Sequence, residues 1–188
     1  MTDTIRNLAA QSAMAGVERT YDEVLRFAVE SPRTLIHLQL AAKSQKSAGK
    51  LRIAGQPLPE AMNCWHGEHP VIARIAPDTW LLISAKQEAA ELMDAVRAAC
   101  AKQSFAVTDV SDSHATIVVE GPRAFEILVR GCGLDIATLA ADACLRTRFA
   151  QLPILLRRAA GDRYELIVDR AVVKYLFDWL QDATAGLD

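Results

Sequence analysis

The chain has 188 residues and a formal net charge of −2, with 21 Lys and Arg against 23 Asp and Glu. This balance argues against a nucleic-acid partner, because non-specific nucleic-acid binding needs clustered cationic side chains. Hydrophobic residues make up 51% of the chain, which is enough to build a core without disulfides. We expect no membrane interaction, because no apolar run approaches the roughly 20 residues that span a bilayer.

The four cysteines are predicted to be free thiols in a reducing cytoplasm. They form no C-x-x-C pair, and residues 1–16 lack the continuous apolar segment of a secretory signal. Cys100 and Cys132 fall within predicted helices, where a thiol most simply serves as a small buried hydrophobe.

Residues 1–32 are predicted to be an accessory N-terminal segment with one short helix. Thr20 and Glu23 have the spacing of a capping box, apolar residues follow, and Pro32 ends the pattern. Residues 33–188 are predicted to form a single domain, because no repeat, low-complexity tract or linker divides them.

The domain begins with a strand in which apolar and polar residues alternate. Ile36, Leu38 and Leu40 alternate with His37 and Gln39, a period of two that indicates one buried face and one face in water. His37 is therefore expected to be a solvated polar residue.

Strands and helices alternate through the rest of the chain. Further strands are predicted at 70–76, 79–84, 105–110, 115–121, 146–151, 153–159 and 164–169. Helices are predicted at 86–102, after Pro122, and at 171–183. The helix after Pro122 is predicted to turn Phe125, Leu128 and Val129 inward and to end with Gly131 as C-cap. This order predicts an α+β fold with a mostly antiparallel sheet and helices on one face.

The segment "CWHGEH" at 64–69 raises the question of a metal site, because all its Cys, His and Glu side chains can ligate a transition metal. A structural zinc site usually has four ligands in two short-spaced pairs. Cys64, His66 and His69 have no second cluster elsewhere in the sequence. We therefore predict a solvated loop and no bound metal.

The segment "DVSDSHA" at 109–115 carries the residue types of a catalytic triad. Triads are assembled from distant segments, so this local density is weak evidence, and Ser and Asp between two strands are ordinary turn residues. The sequence also lacks a nucleophile elbow, a P-loop and a dinucleotide fingerprint. No catalytic or cofactor-binding residue is predicted in this chain.

The last helix is unusually apolar. Its hydrophobic residues sweep an arc of roughly 200°, although a helix on one sheet needs a stripe of only a little over 100°. The excess lies either in a deep core or under another protein. Tyr175, Phe177 and Trp179 are the candidate partner interface, because interface cores are rich in aromatic residues.

Several motifs in order resemble the gamma subunit family of heterotetrameric sarcosine oxidase. They are "PLPEAMN" at 57–63, "APDTWLLI" at 76–83, "TDVSDSHATIVVEGPRAFEILVRGCGLDI" at 108–136, "CLRTRFAQLPILLRR" at 144–158 and "YELIVDRAVVKYLFDWLQDA" at 164–183. Two positions depart from the family pattern: Arg146, where Gln is frequent, and Ala171, where Ser is usual.

The resemblance implies a non-catalytic subunit of a flavin complex that oxidatively demethylates sarcosine or a related N-methyl amine. It implies alpha, beta and delta subunits as partners, with this chain packing against the alpha subunit. FAD, FMN, NAD, tetrahydrofolate and zinc are then expected on the other subunits. The fold is expected to be similar to the aminomethyltransferase and tRNA-modifying folate-binding domain. The alternative is a stand-alone, folate-binding aminomethyltransferase-like protein.

Overall fold

The computed structural model describes residues 14, 16–21, 24–30, 33–185 and 187. The strands in these residues are β1 Glu18–Tyr21, β2 Leu25–Val29, β3 Thr34–Leu40, β4 Arg52–Ile53, β5 Gln56–Pro57, β6 Trp65–His66, β7 Val71–Ala76, β8 Thr79–Ser84, β9 Phe105–Asp109, β10 His114–Glu120, β11 Cys144–Phe149, β12 Leu152–Ala160 and β13 Arg163–Asp169. The α-helices are α1 Ala42–Gln45, α2 Ala89–Ala99, α3 Ala124–Gly131 and α4 Val173–Asp182.

The strands form two main antiparallel sheets and one small hairpin. The six-stranded sheet has the order β1-β2-β10-β13-β12-β11, and the five-stranded sheet has the order β6-β7-β8-β3-β9. Strands β4 and β5 pair only with each other. The predicted α+β class with antiparallel pairing is confirmed, and the structure adds that the strands divide between two sheets.

Three clusters of buried side chains define the layers. The first joins α3 and α4 to one face of the six-stranded sheet. The second joins α2 to one face of the five-stranded sheet, with Leu92, Val96 and Cys100 fully buried on the predicted helix face. The third joins the two sheets, because it contains Leu35 of β3 together with Leu155 of β12. The order of layers is therefore helices, sheet, sheet, helix.

The short helix predicted around residues 20–31 is wrong. Residues 25–29 are strand β2, which pairs with β1 and, through Phe27 and Val119, with β10. Leu25, Phe27 and Val29 are buried in the first core, whereas Arg26 lies on the other side, so the period is two rather than 3.6. Pairing with a strand about ninety residues away outweighs the local capping-box spacing, and Glu23 itself lies outside the described residues.

Helix α3 is confirmed, but its buried face differs from the prediction. Ala124, Ile127 and Leu128 are buried, as expected for positions i, i+3 and i+4 on one side of a helix. Phe125 and Val129 lie on the outer side and are 39% and 42% exposed. The inward placement predicted for these two residues is wrong.

No helix among the described residues is long and apolar enough to span a bilayer. The described cysteines are all unpaired, as predicted, and Cys100, Cys132 and Cys144 are buried.

Candidate functional site

The segment "CWHGEH" is more ordered than the predicted solvated loop. Trp65 and His66 form β6, which pairs with β7, and His66 Nε2 lies 2.5 Å from the carbonyl oxygen of Pro57. Cys64 Sγ donates a hydrogen bond to the carbonyl oxygen of Ala61. Among the described residues, no three His, Cys, Asp or Glu side chains lie close enough together to hold a metal ion.

Trp65 connects the two sheets. Its Nε1 donates to the carbonyl oxygen of Arg158 at 2.9 Å, and the guanidinium of Arg157 lies 4.5 Å from its ring centroid. Arg157 in turn forms a buried ion pair with Glu165 at 2.8 Å. Trp65 is thus held by contacts with two neighbouring residues of β12, and the first part of the segment packs between the sheets.

The segment at 109–114 is built as a turn. Ser111 Oγ bonds to Asp109 at 2.5 Å and accepts the backbone N–H of Leu35. Ser113 Oγ donates to the carbonyl oxygen of Val110 at 2.8 Å and lies 2.7 Å from His114 Nδ1. His114 Nδ1 also lies 3.3 Å from the carbonyl oxygen of Val110, so Ser113 and His114 both contact the backbone of this turn.

The three aromatic residues proposed as an interface lie in three different environments. Tyr175 is 51% exposed, Phe177 is 2% exposed and Trp179 is partly buried. The ring of Trp179 packs edge-on against Phe149, with centroids 5.1 Å apart. Phe177 belongs to the first core and is left out of the proposed interface, because a contact surface requires an accessible side chain.

Four accessible or partly buried apolar side chains lie on α3 and α4, and we call them together the apolar helix face: Phe125, Val129, Tyr175 and Trp179. Phe125 and Val129 are four residues apart on α3, and so are Tyr175 and Trp179 on α4, so each pair shares one side of its helix. The end of α3 lies against α4, since a Cβ atom on Gly131 would lie 2.8 Å from Cη2 of Trp179. Sequence reasoning found the α4 half of this surface and missed the α3 half.

A cavity of about 440 Å³ lies between the two sheets. We call it the inter-sheet cavity. Its walls are mainly apolar and include Leu35, Ile75, Leu81, Leu155 and Ile167. Its polar lining includes His37, His114, Arg146, Thr147 and Asp169.

His37 lies in this cavity, so its prediction as a solvated residue is wrong. On β3 it points to the same side as Leu35, which packs between the sheets, and its Nε2 is buried without a hydrogen-bond partner among the described residues. Burial lowers the pKa of His37, and the positive charge of Arg146 lowers it further. The alternation of β3 was identified correctly, and Gln39 is exposed as expected, but at His37 the same face meets the second sheet.

Arg146 approaches the cavity from the edge strand β11. It is exposed and forms no ion pair with a carboxylate in the described part of the chain. Asp169 also lines the cavity, and its carboxylate accepts the backbone N–H of Ala171 at 2.8 Å. As far as the described residues show, the cavity thus combines a guanidinium without a carboxylate partner, an imidazole nitrogen without a hydrogen bond, and apolar walls.

Comparison with known proteins identifies the family. The family model described as "Sarcosine oxidase, gamma subunit family" matches residues 40–186. The chain belongs to the sarcosine oxidase gamma subunit family. The resemblance recognised in the sequence motifs is thereby confirmed.

Two curated relatives carry the name sarcosine oxidase subunit gamma. The one from Corynebacterium sp. strain U-96 is 25% identical over 154 residues, which are 80% of this chain and 74% of the relative. The one from Corynebacterium sp. strain P-1 is 26% identical over 133 residues, 69% of this chain and 64% of the relative. These relatives favour a gamma subunit over the alternative of a stand-alone folate-binding protein.

Two solved structures show the same fold. A chain of the heterotetrameric sarcosine oxidase from Corynebacterium sp. U-96 in complex with pyrrole 2-carboxylate superposes with a TM-score of 0.75 at 21% identity, covering 92% of this chain and 90% of that one. The glycine cleavage system aminomethyltransferase T from Bartonella henselae superposes with a TM-score of 0.61 at 14% identity, covering 92% of this chain and 47% of that one. The predicted similarity to the aminomethyltransferase fold is confirmed.

Proposed function

We propose that this chain is the gamma-type subunit of a heterotetrameric, sarcosine oxidase-like flavin complex that oxidatively demethylates sarcosine or a related N-methyl amine. The observation that carries this proposal is the family match over residues 40–186. The alpha, beta and delta subunits are its proposed partners in the cytoplasm. FAD, FMN, NAD, tetrahydrofolate and zinc are proposed to be held by those other subunits.

The proposed role of this chain is structural rather than catalytic. The Ser side chains at 109–114 bond within a turn, Ser111 to the carboxylate of Asp109 and Ser113 to the carbonyl oxygen of Val110. Cys144 is buried, and burial raises the pKa of its thiol to about 12, so the nucleophilic thiolate is scarce at neutral pH. We therefore propose that the reacting groups belong to the partner subunits.

We further propose that the apolar helix face docks onto the alpha-type subunit. Single exposed apolar residues are common on monomers and need no explanation. Here, however, two adjacent helices each present a pair of large apolar side chains, with Tyr175 51% exposed. Tyr and Trp at the centre of an interface combine apolar area with few side-chain torsions to order, which favours binding.

Contacts beneath the two α4 residues of the apolar helix face hold their side chains in place. Trp179 packs edge-on against the fully buried Phe149, and the hydroxyl of Tyr175 lies 3.4 Å from the carbonyl oxygen of Ala150. Side chains already held in place lose less conformational entropy when a partner covers them. The face is therefore suited to a stable subunit contact.

Co-expression with an alpha-type partner tests this proposal. A Phe125→Ala, Tyr175→Ala double variant removes one exposed anchor from each helix, and we expect capture by the partner to weaken at least about thirtyfold, the consequence of losing about 2 kcal/mol. Met62→Ala is the matched control, because Met62 is a similarly exposed apolar residue, 42% exposed, outside the apolar helix face.

Melting of the free chain separates docking from folding. Both variants remove exposed side chains, so we expect melting temperatures close to that of the wild type. If the double variant melts normally and is still captured as well as Met62→Ala, the docking assignment is wrong. If the wild-type chain is captured by no alpha-type partner, the assembly proposal is wrong.

A further inference from the structure

The inter-sheet cavity has no assigned role in a structural subunit. Its walls lie mainly on the side of the six-stranded sheet opposite α3 and α4, and none of the four residues of the apolar helix face lines it. Its volume of about 440 Å³ falls within the range of roughly 300–1,000 Å³ typical of small-molecule sites. Such sites are mostly apolar and carry a few placed polar groups.

The polar groups of this cavity come from both sheets. His37 belongs to the central region of the five-stranded sheet, and Arg146 belongs to the edge strand of the six-stranded sheet. Both side chains line the same cavity. A guanidinium and an imidazole N–H are donors suited to a carboxylate, which accepts through both oxygens.

The missing hydrogen bond at Nε2 of His37 supports a carboxylate ligand. A buried polar atom without a partner has a free-energy cost, and native structures retain few of them. Burial lowers the pKa of His37, so the ring is neutral at pH 7 and one of its nitrogens carries a proton. A ligand oxygen that accepts from Nε2 would supply the bond that the described residues do not provide.

The apolar walls and the carboxylate of Asp169 limit the class of ligand that the cavity can bind. Leu35, Ile75, Leu81 and Leu155 offer an apolar surface to the body of a ligand. Asp169 lines the same cavity, and the backbone N–H of Ala171 orients its carboxylate. Its negative charge repels any acidic group beside it, which disfavours a second acidic group and leaves Arg146 and His37 as the partners for a single carboxylate.

From these features we infer that the inter-sheet cavity binds a small monocarboxylic acid with an apolar body. The carboxylate lies between Arg146 and His37, and the body lies against Leu81 and Leu155. This inference does not depend on the proposed assembly, because the cavity and the apolar helix face lie on opposite sides of one sheet.

Calorimetric titration of the full chain with phenylacetate and isovalerate tests the inference. We expect saturable binding of at least one acid with a Kd below about 1 mM. The matching neutral amides, phenylacetamide and isovaleramide, should bind at least tenfold more weakly, because they lack the charge that Arg146 recognises. Absence of binding by both acids up to about 10 mM, or equal binding of acid and amide, would overturn the inference.

Two arginines on β11 provide a matched pair of variants. Arg146→Gln should lower acid affinity at least tenfold, whereas Arg148→Gln should leave it unchanged, because Arg148 does not line the cavity. Both side chains are exposed, so both variants should fold. Equal losses for the two variants would show that general surface charge, and not this cavity, holds the acid.

His37 provides a readout at the site itself. The imidazole signals of His37 in a proton–carbon NMR spectrum should move on addition of the acid, with assignment by their loss in His37→Phe. An acid that binds without moving these signals occupies another place, and the inference is then wrong.

Discussion

Gly131→Ala should destabilise the chain, although alanine is the better helix former. Gly131 is the last residue of α3, and replacing Gly by Ala within a helix normally stabilises it by up to about 1 kcal/mol. Here, the added Cβ would lie 2.7 Å from Cζ of Phe149 and 2.8 Å from Cη2 of Trp179. Carbon atoms in good contact are about 3.5–4.0 Å apart, so both rings would have to move by nearly 1 Å.

The magnitude follows from how firmly those rings are held. Phe149 is fully buried and packs edge-on against Trp179, so neither ring moves without disturbing the first core. Overpacking of this kind typically costs about 1–3 kcal/mol. Three ring atoms lie within 2.8 Å of the added Cβ, so we expect a cost in the upper part of this range, about 2–3 kcal/mol. After the gain in helix propensity the net loss is about 1–2 kcal/mol, or roughly 3–6 °C in melting temperature for a domain of this size.

Thermal and urea unfolding of the purified chain measure the loss. Gly133→Ala is the control, because a Cβ there meets nothing within 4 Å, and its stability should change by less than about 0.5 kcal/mol. If Gly131→Ala melts at or above the temperature of Gly133→Ala, the packing argument for this helix end is refuted.

Three further predictions concern charge, thiols and metal. Burial raises the pKa of Glu120, but hydrogen bonds from Arg26 and Arg163 outweigh it and set the pKa below its ordinary value of 4.5. This ion pairing stabilises the fold above about pH 4.5, and the stabilisation is lost as the pH falls through the lower folded-state pKa. The melting temperature of Glu120→Gln should therefore depend less on pH in the acid range than that of the wild type. Parallel dependence in the two proteins would contradict this. Iodoacetamide should modify the half-buried Cys64 first and leave Cys144 intact in the native chain. The reaction of Cys64 should be faster above pH 9, because burial and then the charge of Asp142 raise the pKa of its thiol. Mass spectrometry that shows Cys144 modified first would refute this order. Elemental analysis should find no stoichiometric zinc in the purified chain, and about one zinc per chain would overturn that prediction.

Local sequence patterns were sufficient to predict a helix or strand wherever the segment's own side chains decide its structure. Helix α2 follows from apolar residues at helical spacing, with Leu92, Val96 and Cys100 buried as predicted. Most long strands follow from alternation or from short apolar runs bounded by turn residues. The family resemblance also depended on the sequence alone, because it lies in the order and spacing of several motifs, including Gly121-Pro122.

Only the tertiary structure decided which face of an element meets which neighbour. Strand β2 carries a credible helix start, and its pairing with the distant β10 sets its conformation. Phe125 and Val129 have the hydrophobicity of core residues, yet they lie outside because Ala124, Ile127 and Leu128 already fill the inner side of α3.

The inter-sheet cavity was beyond sequence reasoning for the same reason. The alternation of β3 shows that His37 and Leu38 lie on opposite faces, but a period of two does not reveal whether the polar face meets water or a second sheet. That depends on strands separated from β3 by about a hundred residues, which bring Arg146 and His37 to the lining of one cavity. Packing between non-local elements places side chains together, and the sequence of one element does not encode its partner.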